Sequence, residues 1–106
     1  MYNPKKTNRM SKKNYLYYGT EESAFEPFLI GEFGNKADAQ AAFADTVEKE
    51  ISEGFLPSTV REEMSSDYWE GTDTQDYVRL YIVGTKKECL DALAEARAEF
   101  YEDEDW

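Results

Sequence analysis

The sequence predicts an α+β fold, a two-layer sandwich in which an antiparallel sheet of about four strands carries two main helices on one face. Three observations point there. Val78, Leu80 and Ile82 alternate with Tyr77, Arg79 and Tyr81, the period of two that a strand buried on one side requires. Ala39, Phe43, Val47 and Ile51 recur every four residues with Ala42 beside them, and Cys89, Ala92, Leu93, Ala96 and Phe100 form a second stripe. Each segment therefore has one apolar helical face. The third observation is an internal echo: Gly34–Asp45 aligns without gaps on Gly84–Glu95, with identical Gly34/Gly84, Lys36/Lys86, Ala42/Ala92 and Ala44/Ala94. A tandem strand-strand-helix duplication would produce this pattern, although any two strand-glycine-cap-helix junctions share some of it.

The elements follow in order. Residues 1–13 hold Lys5, Lys6, Arg9, Lys12 and Lys13, no acid and no apolar periodicity, and are expected to be a disordered basic tail. Residues 14–106 are expected to be a single acidic domain. Tyr15–Tyr18 is aromatic and suits a strand. Gly19–Phe25 reads as a polar connection, with Pro27 at the entrance of a second strand, Phe28–Phe33. Asn35 or Asp38 caps a helix over about 36–53, and Gly54 closes it at C′. Residues 58–70 admit a short helix from Ser58 through Met64 or a strand over Ser65–Trp69, and 71–75 is a polar turn. The strand from Tyr77 ends at Gly84. Thr85 then caps a helix over 86–101, with Glu88 three residues on as the partner of a capping box. The predicted core is Phe43, Val47, Ile51, Leu80, Ile82, Leu93, Ala96 and Phe100.

Charge narrows the function classes. The chain of 106 residues carries 23 acids against 12 bases. Residues 14–106 hold all 23 acids and seven of the bases, a net of −16. Phosphate binding needs clustered Lys and Arg, so nucleic acid is disfavoured as a direct partner and a basic protein is favoured. Cys89 is the only cysteine. It offers no intramolecular disulfide and, from its place on the apolar stripe, is expected to be a small buried residue. No apolar run approaches the ~20 residues of a membrane span, and the basic start is not followed by an apolar segment, so a cytoplasmic protein is expected.

Catalysis has little to build on. The sequence has no histidine, the commonest general base and a common metal ligand. Gly84-Thr-Lys-Lys lacks the spacing of a phosphate loop. No cofactor and no metal site are expected, and the chain is read as a non-enzyme.

Two surfaces remain as binding candidates. Tyr77 and Tyr81, with Tyr15 and Tyr17 near them, would line a sheet face opposite the helices; aromatic faces without basic residues suit protein interfaces, and a homodimer through this face is the alternative reading. The sharper feature is the acid row Glu88, Asp91, Glu95, Glu99 and Glu102, continued by Asp103, Glu104 and Asp105. Side chains at i, i+3 and i+4 lie about 5–6 Å apart, and phosphates along one DNA strand are spaced on a comparable scale, roughly 6–7 Å. Like charges at that spacing destabilise a helix, so the row invites a functional reason. In general style, short, highly acidic and without a catalytic set, the chain resembles the small phage and mobile-element inhibitors that imitate DNA. That resemblance is one of composition and covers no motif. It implies an acidic surface that engages a basic, nucleic-acid-binding protein and blocks it.

Overall fold

Alternating strands and capped helices appear in the computed structural model, which describes residues 13–101. The expected basic tail up to Lys12, together with Glu102, Asp103, Glu104 and Asp105, lies outside the described residues. The elements are β1 (Asn14–Thr20), β2 (Phe28–Phe33), α1 (Lys36–Ser52), the short α2 (Val60–Glu63), β3 (Tyr68–Thr72), β4 (Val78–Gly84) and α3 (Lys86–Tyr101). The strands form one four-stranded antiparallel sheet in the order β2-β1-β4-β3. The α+β class and the four-stranded antiparallel sheet are therefore as the sequence predicts.

Local chemistry fixes the helix ends. Asn35 accepts the Asp38 N–H at 2.9 Å and caps α1. Gly54, at φ 89, follows its last turn in the left-handed region that glycine enters without a steric penalty. Thr85 and Glu88 form the reciprocal capping box of α3: the Glu88 N–H donates to Thr85 Oγ1 at 3.2 Å, and the Thr85 N–H donates to Glu88 Oε1 at 3.0 Å. The ambiguous 58–70 stretch contains both alternatives in part, α2 first and then β3. Its strand begins at Tyr68 and takes in Gly71 and Thr72, which the sequence assigned to a turn.

The placement of the helices differs from expectation. They lie on opposite faces of the sheet rather than together on one, giving three layers. Directly opposed residues in an antiparallel pair point to the same side, and β1 and β4 pair Leu16 with Val83, Tyr18 with Tyr81, and Tyr17 with Ile82. Leu16, Tyr81 and Val83 pack with Ala39, Phe43 and Val47 of α1 and with Trp69. Tyr17 and Leu80 pack with Cys89, Leu93 and Ala96 of α3 and with Phe25. The physical reason is that both central strands are apolar on both faces, Tyr81 and Val83 supplying the side of β4 that its sequence presents as polar.

The duplication reading fails for the same reason. In both strand-strand-helix units the second strand lies on the same side of the first, as the order β2-β1-β4-β3 requires, yet the helices lie on opposite faces. The units are thus of opposite hand, and no rotation superposes them. The echo reflects the shared grammar of strand, glycine, cap and helix.

Within the predicted core, Phe43, Val47, Leu80, Leu93 and Ala96 are buried, and Ile51 and Ile82 are partly buried against the two clusters. Phe100 is the exception at 41 % exposed, with its ring tilted 5.3 Å from Phe25. Phe25 occupies the position expected for a surface connection. Ala24 and Phe25 are both left-handed, at φ 56 and 57. A non-glycine in that region is strained, and the fold offsets the strain by burying the Phe25 ring against α3 and bonding its N–H to the Thr20 carbonyl at 2.8 Å.

Candidate protein-binding surface

The acid row on α3 is built by helix periodicity. Glu88, Asp91, Glu95 and Glu99 are all exposed, and a rise of 1.5 Å per residue sets Asp91, Glu95 and Glu99 about 6 Å apart along the axis. These carboxylates are not equivalent. One oxygen of Glu88 is engaged in the capping box. Asp91 accepts from Lys87 Nζ at 2.7 Å, a solvent-exposed pair one turn apart. Glu95 and Glu99 meet no lysine or arginine among the described residues.

β3 adds a residue that the sequence reading missed. Tyr68 pairs with Ile82 and Glu70 with Leu80, which puts both on the face that α3 covers. The Tyr68 hydroxyl donates to Glu70 Oε1 at 2.7 Å. Burial raises the Tyr68 pKa well above the ordinary phenol value, the bond to Glu70 raises it further, and the negative fields of Glu70, Glu99 and Glu95 add to that. Three carboxylates from two elements thus converge on one phenol. They rim a shallow concavity of about 560 Å³ floored by Leu80, Ala92 and Ala96. Nothing in the sequence marks Glu70 beyond its alternation with Trp69, because its nearness to α3 depends on which face the helix takes.

The tyrosine surface is not present as expected. Tyr81 is fully buried, its ring stacked between Tyr18 and Phe43 at centroid distances of 5.4 and 6.0 Å. Its hydroxyl donates to Glu50 of α1 and accepts from Arg79, so it cannot be a partner-binding residue on the outer surface. Burial, together with the bond to Glu50, raises its pKa. Tyr17 is buried under α3. Tyr77 remains 38 % exposed at the β3–β4 turn, outside the concavity. The expected open aromatic face is absent from the described residues because α3 covers one side of β4 and α1 the other.

The acids of α1 do not join this surface. Asp38 belongs to the α1 cap, and Glu48 holds Arg61 through two bonds of 2.7 and 2.8 Å. Both sit on the helix that packs against the opposite side of the sheet.

On the other flank of α3, towards residues 23–27, lies a wider concavity of about 960 Å³ lined chiefly by Phe25, Pro27, Leu90, Leu93 and Ala94, with Arg97 at its edge. Cys89 is buried beneath the helix. Its thiol points at the Tyr15 and Ile82 carbonyls, and burial pushes its pKa up to about 11. No described residues form a group of three His, Cys, Asp or Glu suited to a metal ion, and no described helix is long and apolar enough to cross a membrane. No known family matches the chain, and neither does any curated protein or solved structure.

Proposed function

We propose that this is a non-enzymatic binding protein of the cytoplasm whose acidic α3–β3 surface engages a basic, nucleic-acid-binding protein in place of its nucleic acid, as a DNA-mimicking inhibitor of the kind phage and mobile elements carry. One observation carries the reading: Glu70, Glu95 and Glu99 stand together and exposed around Tyr68 without a cation among the described residues. Other carboxylates of the domain, Glu32, Glu48, Glu50, Asp67, Asp73 and Asp91, are paired with Lys or Arg. Concentrated like charge costs stability, and of the acids without a Lys or Arg partner among the described residues, Glu70, Glu95 and Glu99 are three that line one concavity together. A cationic side chain entering the concavity would meet carboxylates on its rim, an apolar floor for its stem and the Tyr68 ring beside it. The opposite placement of the helices makes the mimic a one-helix ridge plus the β3 edge, matched to a few phosphates rather than to a long duplex.

The test is capture from a cytoplasmic extract on the immobilised chain. Captured proteins should bind DNA or RNA, and added duplex DNA should release them. A captured set with no nucleic-acid binders, or one indifferent to competing DNA, would refute the reading. The alternative, a small accessory protein that dimerises, loses its proposed aromatic face with the burial of Tyr81 and needs a different surface.

A further inference from the structure

The two edges of the sheet are unlike. β3 carries Glu70 and runs beside Glu95 and Glu99, so a second acidic chain is repelled from that edge. β2 reads Phe-Leu-Ile-Gly-Glu-Phe, and Phe28, Leu29 and Ile30 are 56 %, 46 % and 37 % exposed. No strand among the described residues pairs with its outer side. Its one charge, Glu32, is matched by Lys13 at 2.8 Å. The register against β1 slips between Leu16 and Tyr17, which leaves Ile30 as the extra residue of a bulge. Bulges blunt edges, but protected edges usually add a charge, and this one adds isoleucine. α1 packs over β2, whereas α3 packs on β1 and β4, so no described helix packs closely on the Leu29 side of β2.

We propose that β2 is a self-association edge, on which a second copy of this chain pairs its own β2 antiparallel to form one eight-stranded sheet across two protomers. Charge selects the occupant. Over residues 13–101 there are 19 acids and eight bases, so two copies repel wherever their carboxylates meet. Between Glu26 and Glu32 there is no charge at all, and this is where like-charged chains can approach. A basic partner is drawn to the carboxylates instead. Antiparallel pairing about a two-fold axis is self-complementary: each residue of the edge meets its own counterpart set, and free backbone groups on both strands are satisfied together. This inference stands independently of the acidic-surface reading.

Sedimentation equilibrium on the full chain tests it. The expected result is a reversible dimer of twice the 12.3 kDa chain mass, which tightens as salt screens the repulsion between copies, the opposite of binding to a basic partner. Leu29→Lys and, separately, Ile30→Lys should each weaken dimerisation at least tenfold while the far-UV circular dichroism, and the melting curve at concentrations too low for dimerisation, stay unchanged. A nitroxide on Leu29→Cys should show dipolar broadening in the dimer, because the two β2 backbones are one strand spacing apart, about 5 Å. A label on Glu70→Cys should show none, because β3 of one copy and β3 of the other are seven spacings apart, about 34 Å; the buried Cys89 is not labelled. A chain that stays monomeric at every concentration and salt overturns the proposal. So does a dimer indifferent to both lysine variants, or one in which the position-70 labels are the closer pair.

Discussion

Arg79 donates through Nε to Asp73 at 2.8 Å, where the Asp73 side chain is 3 % exposed and that of Arg79 is 13 % exposed. The same guanidinium reaches Glu50 of α1 at 3.0 Å and the Tyr81 hydroxyl at 2.9 Å, and Tyr81 donates in turn to Glu50. The other Asp73 oxygen accepts the N–H groups of Gln75 and Tyr77 at 2.8 and 3.0 Å. One cation therefore ties the β3–β4 turn, β4 and α1 into a single polar network beneath the α1 core.

Removing that cation should leave Asp73 and Glu50 as buried or half-buried charges without a partner. Arg79→Met is expected to cost about 3–5 kcal/mol, the scale for breaking one side of a buried ion pair. Arg79→Met combined with Asp73→Asn should cost less than the two single changes added together, since the second change removes the charge that the first one strands. Urea denaturation of the three variants checks this, and strict additivity would mean that the two residues do not share a network.

Acid should act on stability in two opposed stages. As pH falls from neutrality the self-repulsion of a chain with formal charge −11 weakens, so stability should first rise. Asp73 then reverses the trend. Burial resists its ionisation, but the Tyr77 N–H, the Arg79 guanidinium and the Gln75 N–H outweigh burial and hold its pKa below the ordinary 3.8. A folded pKa below the unfolded one means that the unfolded chain takes up the proton first. The stabilisation is therefore complete above about 3.8 and is lost as pH falls through the lower folded value. Melting temperatures between pH 7 and 2 should peak and then drop, and Asp73→Asn should flatten the drop. Parallel acid limbs in both proteins would rule out this assignment.

Neutralising the candidate surface should move binding and stability in opposite directions. Glu70→Gln, Glu95→Gln and Glu99→Gln together should abolish capture of the basic partner and raise the melting temperature, because like charges one turn apart repel. Glu95→Gln alone should change affinity by only about 0.2–1 kcal/mol, as exposed pairs do. Wild-type affinity should fall steeply with salt as the Debye length shrinks from ~30 Å at 0.01 M to ~8 Å at 0.15 M. Unchanged affinity in the triple variant would return these acids to the role of a solvated face.

What was legible in the sequence was local chemistry. Asn35 with Asp38, Gly54, and Thr85 with Glu88 act through bonds within four residues, so their spacing was enough to place both helix ends. What was not legible depended on contacts far along the chain. Leu80 and Tyr81 are neighbours that feed opposite cores, and the alternation around them looked one-sided because a tyrosine and an arginine read as solvent-facing. Their burial rests on Glu50 and Asp73, 29 and 6 residues from Arg79. Half of the candidate site was visible for the same reason: Glu95 and Glu99 follow helix periodicity, whereas Glu70 and Tyr68 join them only through the face that α3 chose.

That choice of face can be tested at one glycine. Gly19 lies in β1 opposite Leu80, and a Cβ there would fall 2.7 Å from Leu93 Cδ2 and 3.1 Å from the Phe25 Cα. Gly19→Ala should therefore overpack the α3 layer and cost about 1–3 kcal/mol. Leu93, 1 % exposed, should cost about 2–5 kcal/mol when cut to alanine. Cutting Leu93 back opens the space that the new methyl needs, so the double variant should be less destabilised than the sum, with a coupling of about 0.5–3 kcal/mol. Rescue should stay incomplete, because the Phe25 backbone does not move away with the leucine. Phe43→Ala is the control: it is fully buried in the α1 layer, across the sheet from Gly19, and its cost should simply add to that of Gly19→Ala. If urea denaturation instead couples Gly19 to Phe43 and not to Leu93, α3 does not pack on the face assigned to it.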